Sequence, residues 1–92
     1  MRWTFLTNHA RALVCIAEDP QVRLREIAQR IGITERAAQS LVNDLVDAGY
    51  VTRRRVGRRN RYEIDASLPF RHPYEHRIDV GTLLQALRRV SA

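Results

Sequence analysis

Six arginines fall within nine residues: Arg53, Arg54, Arg55, Arg58, Arg59 and Arg61, interrupted only by Val56, Gly57 and Asn60. No acid lies in the run. Each guanidinium is a planar fork of donors that fits phosphate oxygens or a guanine edge. Charges this dense repel one another and give no core contacts, so the run calls for a counter-charge from outside the chain, and a polyanion is the natural candidate. A second group lies upstream, where Thr34, Glu35, Arg36, Ala37, Gln39, Ser40 and Asn43 gather toward the exposed side of an expected helix. Short polar and fork-shaped side chains of this kind suit base edges in a major groove. Other chemistries find little support. Cys15 stands alone, so no internal disulfide can form, and a small buried side chain is expected there. Cys15 with His9, His72 and His76 shows no metal-ligand spacing, and no metal or other cofactor is expected. The carboxylates are scattered over helical surfaces and caps and the glycines are isolated turn residues, so no enzyme is expected.

The 92 residues make one domain, 1–92, able to bury a core with little to spare. The net charge is +6, and every one of the sixteen basic residues is arginine. A small domain this basic favours nucleic acid over acidic proteins or membranes. No window is apolar enough for a membrane span and the N-terminal residues lack a signal-peptide pattern, so a cytoplasmic protein is expected.

The elements that must hold these groups can be read from periodicity and punctuation. A first helix is expected over 8–18, capped by Thr7 or Asn8, with Ala10, Leu13, Ile16 and Ala17 on one face. Asp19-Pro20 ends it, and Gln21-Val22-Arg23 reads as a short extended strand. Leu24, Ile27, Ala28 and Ile31 form the stripe of a second helix over 24–31, closed by Gly32. Thr34 caps a third over 35–48, with Ala38, Leu41, Val42, Leu45 and Ala48 inward, closed by Gly49. The period then becomes strand-like: 50–55 and 61–64 read as a hairpin around a Gly57–Asn60 turn, with Gly57 and Asn60 both tolerant of positive φ. Tyr62 and Ile64 are expected to face inward. Residues 66–79, with Pro69 and Pro73 against regular structure, read as an ordered connector lying on the domain. A last helix over 80–90 is capped by Asp79 and carries Val80, Leu83, Leu84, Leu87 and Val90 on one stripe.

Two helices separated by Gly32-Ile33-Thr34 make a helix-turn-helix, and a hairpin follows. The expected class is α+β, mostly α: a winged helix-turn-helix of three helices and a β-hairpin wing, with an added C-terminal helix. Residues 5–65 resemble the winged helix-turn-helix domain of bacterial transcription regulators of the MarR and ArsR types. The likeness is carried by Leu24 to Thr34, by Leu41 to Val51, and by the wing sequence from Val56 to Tyr62. It implies a homodimer on a pseudo-palindromic operator, with 34–43 reading bases and the Arg58–Arg61 tip on backbone or minor groove. The long terminal helices that form the dimer and a ligand pocket in MarR-type proteins have only 1–18 and 80–90 as counterparts. The paired cysteines of ArsR-type metal sensors have no counterpart beyond Cys15.

The expected function is sequence-specific binding of double-stranded DNA in transcriptional regulation. The helix would supply sequence information, and Arg53, Arg54, Arg55, Arg58, Arg59, Asn60 and Arg61 would supply affinity and register. Two other readings fit the same residues: RNA binding through the arginine-rich hairpin, and a winged helix that contacts proteins. Trp3, Phe5, Leu83, Leu84 and Leu87 are candidates for a dimer interface. Trp3, Phe5 and Leu6 would otherwise pack on the domain as an N-terminal flap, and the leucine strip would fold back on its own core.

Overall fold

The computed structural model describes residues 3–91, with side chains through Arg88. Helix α1 spans Asn8–Glu18, α2 Leu24–Ile31 and α3 Glu35–Asp47; strands β1 Val51–Val56 and β2 Arg59–Ile64 form an antiparallel hairpin; a 3-10 turn at Pro73–Glu75 precedes α4, Val80–Ser91. This is the expected winged helix-turn-helix with an added C-terminal helix.

Local chemistry sets the boundaries. Thr7 Oγ1 accepts from the Ala10 N–H at 3.2 Å and Thr34 Oγ1 from the Ala37 N–H at 3.0 Å, each satisfying an otherwise orphaned donor at a helix start. Glu26 Oε1 reaches back to the Arg23 N–H at 3.0 Å and steadies the start of α2. Gly32 takes φ 84°, and the Ile33 N–H then returns to the Ala28 carbonyl at 2.9 Å. This left-handed closure lets α3 follow α2 with only three residues between them, which is what places α3 across α2. Gly49 at φ 86° closes α3 in the same manner and turns the chain into β1.

The core joins the helices to the root of the wing. Ala12, Leu13, Cys15 and Ile16 of α1, Ile27 and Ala28 of α2, and Ala38, Val42 and Leu45 of α3 meet Val51, Tyr62, Val80 and Leu84. The buried line of α3 therefore runs through Val42, while Leu41 and Ala48 are its half-buried edges. In α1, Ala12 and Cys15 are more deeply buried than the expected Ala10 and Ala17. Burial pushes the Cys15 thiol up from its ordinary range, against the nearby Arg30, so it stays protonated and inert.

Three expectations need correction. Residues 21–23 form no strand: Val22 plugs into the core, and the Pro20 carbonyl accepts one bond from the Tyr62 N–H at 2.8 Å. The hairpin turn is two residues, not four, since Val56 pairs with Arg59. Gly57 alone has positive φ, 63°, as a type II′ turn requires at its first central position; Asn60 lies in β2 opposite Arg55. The connector is partly regular. Phe70 N–H bonds to the Ile78 carbonyl and Val80 N–H to the Leu68 carbonyl, both at 2.9 Å, so Pro69 bridges Asp79 at a position that asks no N–H of it. Pro73 opens the 3-10 turn, where its fixed φ fits.

Asp79 caps α4 as expected, its Oδ1 accepting from the Thr82 N–H at 2.8 Å and the Thr82 hydroxyl at 2.7 Å. Those bonds hold its carboxyl below the usual range. Val80 and Leu84 are buried, Leu83 and Leu87 half-buried; the side chain of Val90, expected on the same stripe, lies outside the described residues. Among the described residues no helix is long and apolar enough to cross a membrane.

Candidate nucleic-acid interface

Helix α3 presents its polar side to solvent because its opposite side is committed to the core. Glu35, Arg36 and Ser40 are exposed, and Ala37, Gln39 and Asn43 are half-buried. Thr34 is exposed, but its hydroxyl oxygen is occupied by the Ala37 amide. The N-terminal turns carry the positive end of the helix dipole toward whatever approaches. The helix becomes acidic further along. Asp44 and Asp47 are exposed in its last turns, which makes the C-terminal end of α3 unfavourable for a polyanion. Asp44 is also engaged from behind, with His9 Nε2 at 2.8 Å from its Oδ2.

The strand pairing divides the arginines, a division invisible in a linear count. Val51, Arg53 and Arg55 share one face with Ile64, Tyr62 and Asn60, because residues directly opposite in an antiparallel pair point the same way. This face begins in the core at Val51 and Tyr62 and continues outward past α3. Thr52, Arg54 and Val56 share the other face with Glu63, Arg61 and Arg59. Arg58 sits exposed at the tip.

The two faces are wired differently. On the first, Arg53 Nη1 donates to Asn43 Oδ1 at 3.1 Å, joining wing to helix, and Gln39 Nε2 donates to the same oxygen at 3.1 Å. Arg55 Nε donates to the Gly57 carbonyl at 3.2 Å, steadying the turn. On the second, Arg54 stands directly across from Arg61, a repulsive pair, and Glu63 relieves it by accepting from Arg54 Nη2 at 2.9 Å. One of the six arginines is thus neutralised within the chain, and the need for an external counter-charge falls on the others.

All the expected interface residues lie on α3, its cap or the hairpin, as the sequence suggested. What it did not disclose is the link between them. The Gln39–Asn43 contact is a four-residue helical spacing and legible in principle; the Arg53–Asn43 contact depends on the hairpin's register and its angle to α3. Among the described residues there is no cluster of His, Cys, Asp and Glu that could hold a metal.

Three helices in this order, a glycine-closed turn between the second and third, and a hairpin projecting beyond an exposed polar helix define a winged helix-turn-helix of the DNA-binding class. The chain matches the MarR family over residues 4–61, more than half its length. It belongs to that family of transcription regulators and is a winged-helix DNA-binding protein. A comparison with curated proteins finds no match.

The wiring of the second face gives a first expected result. Glu63→Ala should release Arg54 and remove one negative charge. The salt dependence of duplex binding should then steepen by about 1 in the log–log slope, while an exposed pair costs only about 0.2–1 kcal/mol of stability. Titration at several salt concentrations measures the slope; an unchanged slope means Arg54 does not reach phosphate even when freed.

Proposed function

We propose that this chain is a sequence-specific regulator of transcription that binds double-stranded DNA as a homodimer in the cytoplasm and has no catalytic activity. Helix α3 enters the major groove through its first turns, with Glu35, Arg36, Ala37, Gln39, Ser40 and Asn43 at or near the bases. Arg55, Arg58, Arg59 and Arg61, with Asn60, track the backbone or the adjacent minor groove. The observation that carries this reading is the continuity of the two parts. The polar side of α3 and the first face of the wing meet through the Arg53–Asn43 hydrogen bond, which joins the exposed polar residues of the helix to the arginines of the hairpin in one surface. The hairpin's one aromatic residue, Tyr62, is only 3% exposed, so the sheet offers no stacking platform for single-stranded bases, which favours duplex DNA over RNA.

The dimer is supported by apolar surface left uncovered. Trp3 and Phe5 pack edge to face, ring centroids 5.0 Å apart, yet Phe5 is 92% exposed. Phe5 lines a groove of about 780 Å³ with Leu6, Leu13, Phe70 and Leu83, between α1, the end of α3, the connector and α4. Trp3, Phe5, Leu83 and Leu87 are the surface for a second copy; Leu84 is committed to its own core. Two such copies would present their α3 helices about 34 Å apart, one turn of the duplex.

Selection of bound duplexes from a random pool tests the specific version. One enriched motif is expected, and Arg36→Ala should relax its preference at one position by about 1–3 kcal/mol. Equal affinity for every duplex, before and after the change, defeats the claim of specificity. Stronger binding of structured RNA than of duplex in direct competition defeats the choice of DNA.

A further inference from the structure

The amides of Gln39 and Asn43 are chained, and the polarity of the chain is set from the wing. Arg53 Nη1 and Gln39 Nε2 both donate to Asn43 Oδ1, each at 3.1 Å. A guanidinium has donors only. The Asn43 atom facing it is therefore the carbonyl oxygen, and the Gln39 atom facing that oxygen is the amide nitrogen. Without the arginine the pair has no such preference. Asn43 Nδ2 donating to Gln39 Oε1, with both amides turned over, is an equivalent hydrogen bond.

That polarity decides what α3 shows to a base. Both lone pairs of Asn43 Oδ1 are occupied, so Asn43 offers only its Nδ2 donors, which suit an acceptor edge: N7 and O6 of guanine or O4 of thymine. Gln39 has used one N–H and keeps the other together with Oε1. That donor and acceptor match N7 and N6 of adenine. We infer that Arg53 is a specificity-positioning residue: acting through Asn43, it assigns adenine to Gln39 and guanine or thymine to Asn43, and it is not a phosphate ligand. This rests on α3 being the base-reading helix. It separates Arg53 in function from the arginines around it, with which its sequence position groups it.

The experiment compares wild type, Arg53→Ala and Arg58→Ala by selection from randomised duplexes, followed by titration against salt. Both arginines are exposed, so neither change touches the core. Wild type should discriminate about 5- to 150-fold at two positions, adenine at one and guanine or thymine at the other. Arg53→Ala should keep the rest of the motif, flatten the preference at those two positions and leave the salt slope unchanged. Arg58→Ala should keep both preferences and lower the slope by about 1. An Arg53→Ala protein that still selects the same bases at both positions overturns the inference alone, and a slope lowered by about 1 then marks Arg53 as a phosphate ligand. A wild type that enriches no motif overturns the base-reading role of α3, and the inference with it.

Discussion

Ile27→Ala should lower the stability of the domain by about 2–5 kcal/mol, the range for removing a large aliphatic side chain from a close-packed interior. Ile27 is 0% exposed and lies on α2 within the core cluster that joins α1, α3 and the wing root. Few positions leave so little room for the neighbours to relax into the space. A chain of this length has roughly 5–14 kcal/mol in total, so one substitution removes a large share. Each kcal/mol moves the thermal midpoint of so small a domain by about 4–8 °C, and a fall of about 10 °C or more is expected. Urea titration with an unchanged slope, alongside Ile27→Val at about 0.5–1.5 kcal/mol, separates a cavity from a rearranged native state. Arg25→Ala, on the exposed side of the same helix, should stay within about 0.5 kcal/mol. A loss below about 1 kcal/mol for Ile27→Ala would mean that the α2 contact is not what holds α3 in place.

That result bears on function, because α3 is positioned by what lies behind it. The groups that face solvent on α3 are short and polar and hold nothing in the core. Their placement comes from Ala38, Val42 and Leu45, from the Gly32 closure and from the Thr34 cap. These were legible in the sequence because each is local: a stripe at helical spacing, a glycine where left-handed backbone is needed, a hydroxyl one residue before a helix. The structure departs from local preference where distant residues decide. Asn60 looked like a turn residue by type, but a two-residue turn at Gly57-Arg58 extends the ladder by the Val56–Arg59 and Arg55–Asn60 pairs, and that gain outweighs the local preference of asparagine. Gln21-Val22-Arg23 reads as a short strand, yet Val22 is held by burial of its side chain in the core. The prolines of the connector argue against regular structure, although Pro69 sits where the bridge to Asp79 needs no donor.

The same limit applies to the arginine run. Its composition pointed to a polyanion, but a count of charges cannot say which face each occupies. Register supplies that. Arg53 is turned to Asn43 and Arg54 to Glu63, while Arg58 and Arg59 are exposed at the tip, Arg55 has a backbone contact at its base, and Arg61 is exposed across from Arg54. Among the described residues only Arg54 of the run pairs with an acid, and the unpaired charge nearest the turn is that of Arg55, Arg58 and Arg59.

This unpaired charge leads to the largest expected effect on binding. The combined change Arg55→Ala, Arg58→Ala and Arg59→Ala removes three cations that have no side-chain acid as partner among the described contacts. Each phosphate neutralised contributes about 0.9 to the slope of log affinity against log salt, so the variant's slope should be shallower by about 2.7. Between 50 and 200 mM salt the wild type should then lose roughly 40-fold more affinity than the variant. The two affinities should converge at high salt and separate at low salt. The preferred bases should not change, because these side chains supply attraction and register and not sequence. All three positions are exposed and none lies in the core, so thermal stability should be nearly unaffected. Parallel salt dependence in the two proteins would mean that the wing tip does not touch the duplex, leaving α3 alone against the DNA. A changed motif would mean instead that the wing reads sequence, most directly through an arginine in a narrowed minor groove.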